Sequence, residues 1–273
     1  MRVLAAFFLL VPASAWAQGV KLEPKKPAAG DRATIRVETA LDLEIIVKDS
    51  EPERKSNMST IRTEVFKQEV TGLQDGAGAT YTVKCESSVL QRALQKENTP
   101  FHGRTFIVKR GAAGTTVEAS DGALPPSGAE GLAGWEEYSR LLPGGEVAVG
   151  AQWVVDQNVT ALLSVANLAE TKSAKLSATL KSAEGSRAVV SFNGEVEGKT
   201  RDGAMIKVSI TDGELDFDMG RGRPTAVRIT GGLEATKDVI RNYVKPGGVQ
   251  AVPEPVGTIR MKSSRLEVKV AFE

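Results

Sequence analysis

The 273 residues predict a mainly β protein: long, curved antiparallel strands forming a barrel, half-barrel or sandwich, with one or two short helices. Three observations carry this expectation. Apolar side chains recur at every second position along much of the chain. Glycine-rich turns separate these runs. No long helical pattern stands between them, which favours antiparallel over parallel pairing.

Residues 1–17 read as a secretory signal peptide. Arg2 supplies a minimal positive start, Val3 to Val11 an apolar core, and Ala15-Trp16-Ala17 a small-x-small cleavage site before Gln18. Nine apolar residues in a helix span roughly 14 Å, far short of a ~30 Å hydrocarbon core. The segment is therefore read as a cleaved leader, and Gln18 in place of Cys argues against a lipid anchor. No later stretch approaches 18 consecutive apolar residues. The mature chain is expected to be soluble, without a transmembrane segment, and periplasmic or secreted in a bacterium.

Next comes the longest alternation. In residues 32–48 the odd positions carry Ala33, Ile35, Val37, Thr39, Leu41, Leu43, Ile45 and Val47, and the even positions are mostly charged or polar. At ~3.3 Å per residue this strand would run about 50 Å, beyond the usual length, so it should bend or coil around a core. Shorter strands fit at 60–70, 80–87, 104–109, 115–119, 152–160, 175–181, 188–197, 205–211, 214–219 and 226–230. Near the C-terminus Leu266, Val268, Val270 and Phe272 alternate with Arg265, Glu267, Lys269 and Glu273. Turn residues punctuate the series at Gln74-Asp75-Gly76, Arg110-Gly111-Ala112-Ala113-Gly114, Arg201-Asp202-Gly203, Thr211-Asp212-Gly213 and Met219-Gly220-Arg221-Gly222.

The spacing of Trp135, Tyr138, Leu141 and Leu142 predicts a helix over 134–142, stopped by Pro143-Gly144-Gly145. A second helix is read at 234–244, and 87–96 is open to either state. The Pro- and Gly-rich stretch 121–134 is the best linker. The expected organisation is a β-rich half at 18–122, a linker with short helix at 123–145, and a second β-rich half at 146–273. The halves share a loose order of strands and turns, at offsets that drift from about 107 to 120 residues. An internal duplication and convergent hairpin punctuation both explain that order.

Composition narrows the chemistry. Loss of Arg2 leaves 34 Lys and Arg against 34 Asp and Glu, so neither nucleic acid nor an anionic membrane surface is an expected partner. Cys85 is the only cysteine and falls on the apolar parity of Tyr81-Thr82-Val83-Lys84-Cys85, which predicts a buried, inert thiol. His102 is the only histidine, so Cys/His zinc clusters and most His-based catalytic sets cannot be assembled. The glycine-rich stretches lack the context of phosphate loops. The sequons at Asn57 and Asn158 matter only in a eukaryotic secretory pathway.

The run Leu142-Pro143-Gly144-Gly145-Glu146-Val147-Ala148-Val149-Gly150-Ala151-Gln152-Trp153 resembles a Leu-Pro-x-x-x-Val-x-x-Gly-x-x-Trp segment. That segment is carried by uncharacterised secreted bacterial β-rich proteins grouped as a domain of unknown function. The resemblance covers about 130–232, with Ala151 where the pattern usually has Asp. It implies a signal peptide and a β-dominated fold, and it carries over no functional residues.

The sharpest local feature is Asp212, Glu214, Asp216 and Asp218, interleaved with Gly213, Leu215, Phe217 and Met219. Four carboxylates on one face of a strand suit a cation such as Ca²⁺, or an acidic strip that meets a basic partner. The spacing matches no EF-hand or repeat-type calcium motif, so the favoured reading is a wet strand face neutralised by neighbours such as Arg221, Arg223, Arg228 or Lys207. No other cofactor is expected. The leading expectation is a non-enzymatic exported protein that binds a lipid or hydrophobic small molecule in a β-sheet concavity. The rivals are an envelope structural protein docking a protein partner and, more remotely, a carboxylate-dependent hydrolase.

Overall fold

A computed structural model describes residues 19–49, 52–74, 78–111, 114–125, 132, 134–155, 168–200, 202–244 and 251–273. The expected signal peptide, the Asp75-Gly76 turn, the Ala112-Ala113 turn, much of the linker, the strand beyond Val155 and the Asn158 sequon lie outside these residues.

In chain order the elements are β1 (Val20–Lys21), β2 (Arg32–Lys48), β3 (Arg54–Gln74), β4 (Gly78–Arg92), β5 (Gln95–Asn98), β6 (Thr105–Gly111) and β7 (Gly114–Ala119). Then follow the single-turn helix α1 (Trp135–Tyr138), a 3₁₀ turn at Ser139–Leu141, β8 (Glu146–Val147), β9 (Gln152–Val154) and β10 (Leu168–Glu184). The remainder is β11 (Arg187–Thr200), β12 (Met205–Asp218), β13 (Arg223–Val244) and β14 (Ala251–Phe272). β1 pairs with β8 alone, and the other strands form one 12-stranded antiparallel sheet. Its order is β7-β6-β4-β3-β2-β14-β13-β12-β11-β10-β9, with β5 against β4. The sheet is open, with β7 and β9 at its edges. The predicted mainly-β class is therefore what the chain adopts.

The alternation read at 32–48 is β2 residue for residue. Its odd positions face inward beside the even positions of β3, through a register free of slips: Ile35 opposes Phe66, Leu41 opposes Thr60 and Leu43 opposes Met58. On its other side β2 pairs with β14, where Ile35 opposes Phe272 and Leu41 opposes Leu266. The residues expected in two halves thus meet along β2 and β14 in the middle of the sheet. Buried side chains from β2, β3, β4, β6 and β10–β14 belong to one apolar cluster, so the sheet curls around its own core.

A diagonal seam of register shifts crosses β11, β12, β13, β14 and β2. Neighbouring strands slip between Phe192 and Gly194, between Ile210 and Asp212, between Gly231 and Glu234, and between Ser263 and Arg265. Bulges of this kind raise local twist and bend a strand. Two expectations are corrected here. Segments 205–211 and 214–219 are one strand, β12, and Thr211-Asp212-Gly213 is a bulge within it rather than a turn. The helix read at 234–244 is the second half of β13. Its backbone bonds to β14 from Glu234–Lys262 through Val244–Ala251, and that pairing overrides a weak local preference. Residues 87–92, open to either state, are strand.

The first helix is present and short. Tyr138 and Leu141 are buried, and the Tyr138 ring meets Phe272 edge-on at 5.4 Å. Trp153 Nε1 donates to the Leu141 carbonyl at 2.9 Å. These contacts seat the helical turn on the inner face of the sheet.

Candidate functional site

β3 shows how the inner face is organised. Its even residues from Met58 to Val70 point inward, and they change in character along the strand. Phe66 and Val70 are fully packed with Ile35, Tyr81, Phe106 and Val108. Next comes a polar belt, in which Glu64 Oε1 accepts from Ser88 Oγ at 2.7 Å and from Arg62 Nη2 at 2.6 Å. Ser88 Oγ also bonds Thr99 Oγ1 at 2.6 Å. The Arg62 guanidinium lies over the Phe101 ring at 5.5 Å. Arg62 Nε is buried with no hydrogen-bond partner among the described residues.

Beyond the belt the face is apolar again but only half covered. Leu41, Ile45, Met58 and Met261 pack against the core while remaining half-buried. Ile45 directly opposes Met261, and Leu43 opposes Met58. This half-covered apolar stretch, shared by β3, β2 and β14, is termed the trough. Two of its side chains are methionines, whose flexible thioethers adapt to irregular contacts.

A second polar group lies beside α1. Arg110, 8% exposed, donates Nη1 to Glu136 Oε2 at 2.9 Å and Nη2 to the Leu132 carbonyl at 2.6 Å, and its Nε faces Glu137 Oε1 at 3.6 Å. Gln68 Nε2 donates to Glu136 Oε1 at 3.3 Å, and the Arg110 guanidinium stacks 4.8 Å from the Tyr81 ring. Burial pushes the Glu136 carboxyl and the Tyr81 hydroxyl up from their ordinary values. A Cβ on Gly134 would stand 2.3 Å from both Arg110 Nη1 and Glu136 Oε2, so a larger residue there would push the ends of these two side chains aside. A cavity of about 230 Å³ adjoins the group, lined by Ala79, Tyr81, Arg110, Glu136, Glu137 and Arg140 among others.

Sequence reasoning did not single out these belts, although a signal was present. Arg62, Glu64, Gln68 and Arg110 all sit on the apolar parity of their strands, and a polar residue at a core position is the informative exception.

The acidic strip lies on the opposite, wetter face of β12. Asp216, 7% exposed, accepts from Arg187 Nε at 3.0 Å and lies 3.3 Å from Arg228 Nη2. Glu214 reaches Arg228 Nη1 at 3.4 Å and Lys181 Nζ at 3.9 Å. Asp218 accepts the backbone N–H groups of Gly220 and Arg221, capping the turn, and Asp212 is exposed. Of the cations expected to balance the strip, Arg228 and Arg221 are near it. Arg223 instead bonds Asp31, and Lys207 pairs with Glu195 at 2.9 Å. Among the described residues no group of three or more His, Cys, Asp or Glu side chains is placed to hold a metal ion.

Cys85 is fully buried, its thiol pushed up to about 12, chiefly by burial. Iodoacetamide at pH 8 should therefore leave the folded protein unmodified and alkylate it fully in denaturant. Stoichiometric labelling of the native state, read by intact mass, would contradict this placement. His102 is exposed, and its Nδ1 accepts the Ser88 N–H at 3.2 Å.

No family model matches the chain, and no curated protein matches it. Among solved structures it is similar to one from Vibrio parahaemolyticus named as an outer membrane lipoprotein-sorting protein domain. The two share 11% identity over 84% of each chain, with a TM-score of 0.17. At that TM-score nothing about this chain is taken from the likeness. Among the described residues no helix is long and apolar enough to cross a membrane.

Proposed function

We propose that this is an exported, non-enzymatic protein that holds a lipid or other hydrophobic small molecule against the inner face of its curled sheet. The observation that carries the reading is the trough of Leu41, Ile45, Met58 and Met261, half-buried and continuous with the core. These side chains stand on three long strands, with β2 paired to both β3 and β14, so the apolar wall is preformed and costs little ordering when a ligand arrives. Covering the exposed half of each contributes roughly 1 kcal/mol. The apolar run at 3–11 and the Ala15-Trp16-Ala17 site support export.

Nile red, a neutral dye that fluoresces in apolar surroundings, tests the trough. The wild-type protein should bind it, and Ile45→Asp together with Met261→Asp should weaken binding at least tenfold while the far-ultraviolet β spectrum is kept. Native mass spectrometry of protein from its own host should show co-purifying lipid. A protein that binds no dye and carries no lipid would end this reading.

A further inference from the structure

The trough and the polar belt meet at Arg62. Along the inner side of β3 the order is Met58, Thr60, Arg62, Glu64, with Met58 roughly 13 Å of strand from Arg62. Leu41 stands opposite Thr60, so the apolar wall begins one rung from the guanidinium. The direct cross-strand neighbours of Arg62 are Thr39 and Leu90, and neither carries charge.

Arg62 keeps 29% of its side chain exposed at the head of the trough, whereas Glu64 beside it is 8% exposed and is already satisfied by Ser88 and Arg62. Phe101 holds the plane of the guanidinium. One donor edge is committed to Glu64, while Nε is without a hydrogen-bond partner, and an unmet buried donor is costly. A planar, fixed and partly unsatisfied guanidinium suits a carboxylate or phosphate.

We infer that Arg62 receives the anionic head, carboxylate or phosphate monoester, of an amphiphile whose alkyl chain lies along Leu41, Ile45, Met58 and Met261. The inference rests on the hydrophobic-ligand reading above and adds the head-group chemistry and the orientation of the chain: head at the belt, tail toward the junction of β2 and β3.

The test compares binding of laurate, dodecyl phosphate, dodecanol and dodecyltrimethylammonium by isothermal titration, each below its critical micelle concentration. The wild-type protein should bind at least one of the two anions at least tenfold more tightly than dodecanol, and the better of them identifies the head. Arg62→Met would leave Glu64 buried opposite no cation, so the decisive variant pairs Arg62→Met with Glu64→Gln, which keeps the Ser88 hydrogen bond. In that variant the anions should fall to the affinity of dodecanol, with dodecanol binding unchanged. Equal wild-type binding of dodecanol and both anions would overturn the role of Arg62 while leaving the apolar trough standing. Tighter binding of dodecyltrimethylammonium would assign the head to Glu64 and overturn it too. Binding of none of the four would remove both the head-group inference and the reading beneath it.

Discussion

Gly231→Ala should cost roughly 3 kcal/mol or more of stability, whereas Gly232→Ala, one residue on, should cost well under 1 kcal/mol. A Cβ on Gly231 would lie 2.0 Å from the Ser209 carbonyl oxygen, a backbone atom of the neighbouring strand. A Cβ on Gly232 would meet only Ser263 Oγ at 3.8 Å. Gly231 sits where β13 slips against both β12 and β14, so no side-chain rotation can relieve the clash. Gly194 is a second such point, with φ +141° and its Cβ position 2.0 Å from the Lys175 carbonyl oxygen. Urea midpoints of the two variants measure the contrast. Equal losses at positions 231 and 232 would show that the seam of bulges does not form as described.

The second large effect is expected at Arg110. Arg110→Met removes the cation that faces both Glu136 and Glu137, and leaving buried carboxylates without it should cost about 3–5 kcal/mol near neutral pH. Burial raises the Glu136 carboxyl above its ordinary value of 4.5, so the folded state holds this proton more tightly than the unfolded chain does. Its contribution to stability is therefore full below 4.5 and is lost as pH rises through the folded value. Arg110 opposes that loss by favouring the ionised form. The deficit of Arg110→Met should accordingly be small in acid and grow as pH climbs toward 7, and adding Glu136→Gln with Glu137→Gln should restore most of it. A deficit independent of pH would show that Arg110 acts through packing on Tyr81 rather than through charge.

The fold was legible where one face of a strand is dry and the other wet. β2 is such a case, and so is the C-terminal part of β14, where Leu266, Val268 and Val270 are buried. Legibility failed where that contrast fades. In the second half of β13, Lys237 occupies the inward parity after Leu233 and Ala235, and the apolar signal breaks although the backbone pairing does not. It failed again at Asp212-Gly213, because a bulge and a turn share the same residues. The polar belts were hidden for another reason. Arg110 and Glu136 are 26 residues apart, and no local pattern announces that a strand and a helical turn will bring them together. The acidic strip was visible as a row of carboxylates, but the Arg187 and Lys181 that lie beside it belong to other strands.

The adjacency of β2 and β14 bears on how the protein comes to be folded. Thr34 and Glu273 exchange backbone hydrogen bonds of 2.9 Å in both directions, although more than two hundred residues separate them in the chain. Strands β2 to β7 can zip onto one another locally, and so can β10 to β14, but the rungs between β2 and β14 must wait for a search across nearly the whole polypeptide. Separation in sequence adds only logarithmically to the entropic toll, yet it slows assembly sharply. During that wait β2 and β14 each expose an unpaired margin, the kind of surface on which strands of other molecules accrete. A chaperone that shields those margins until they find each other would therefore act on the slowest and most vulnerable stage of maturation.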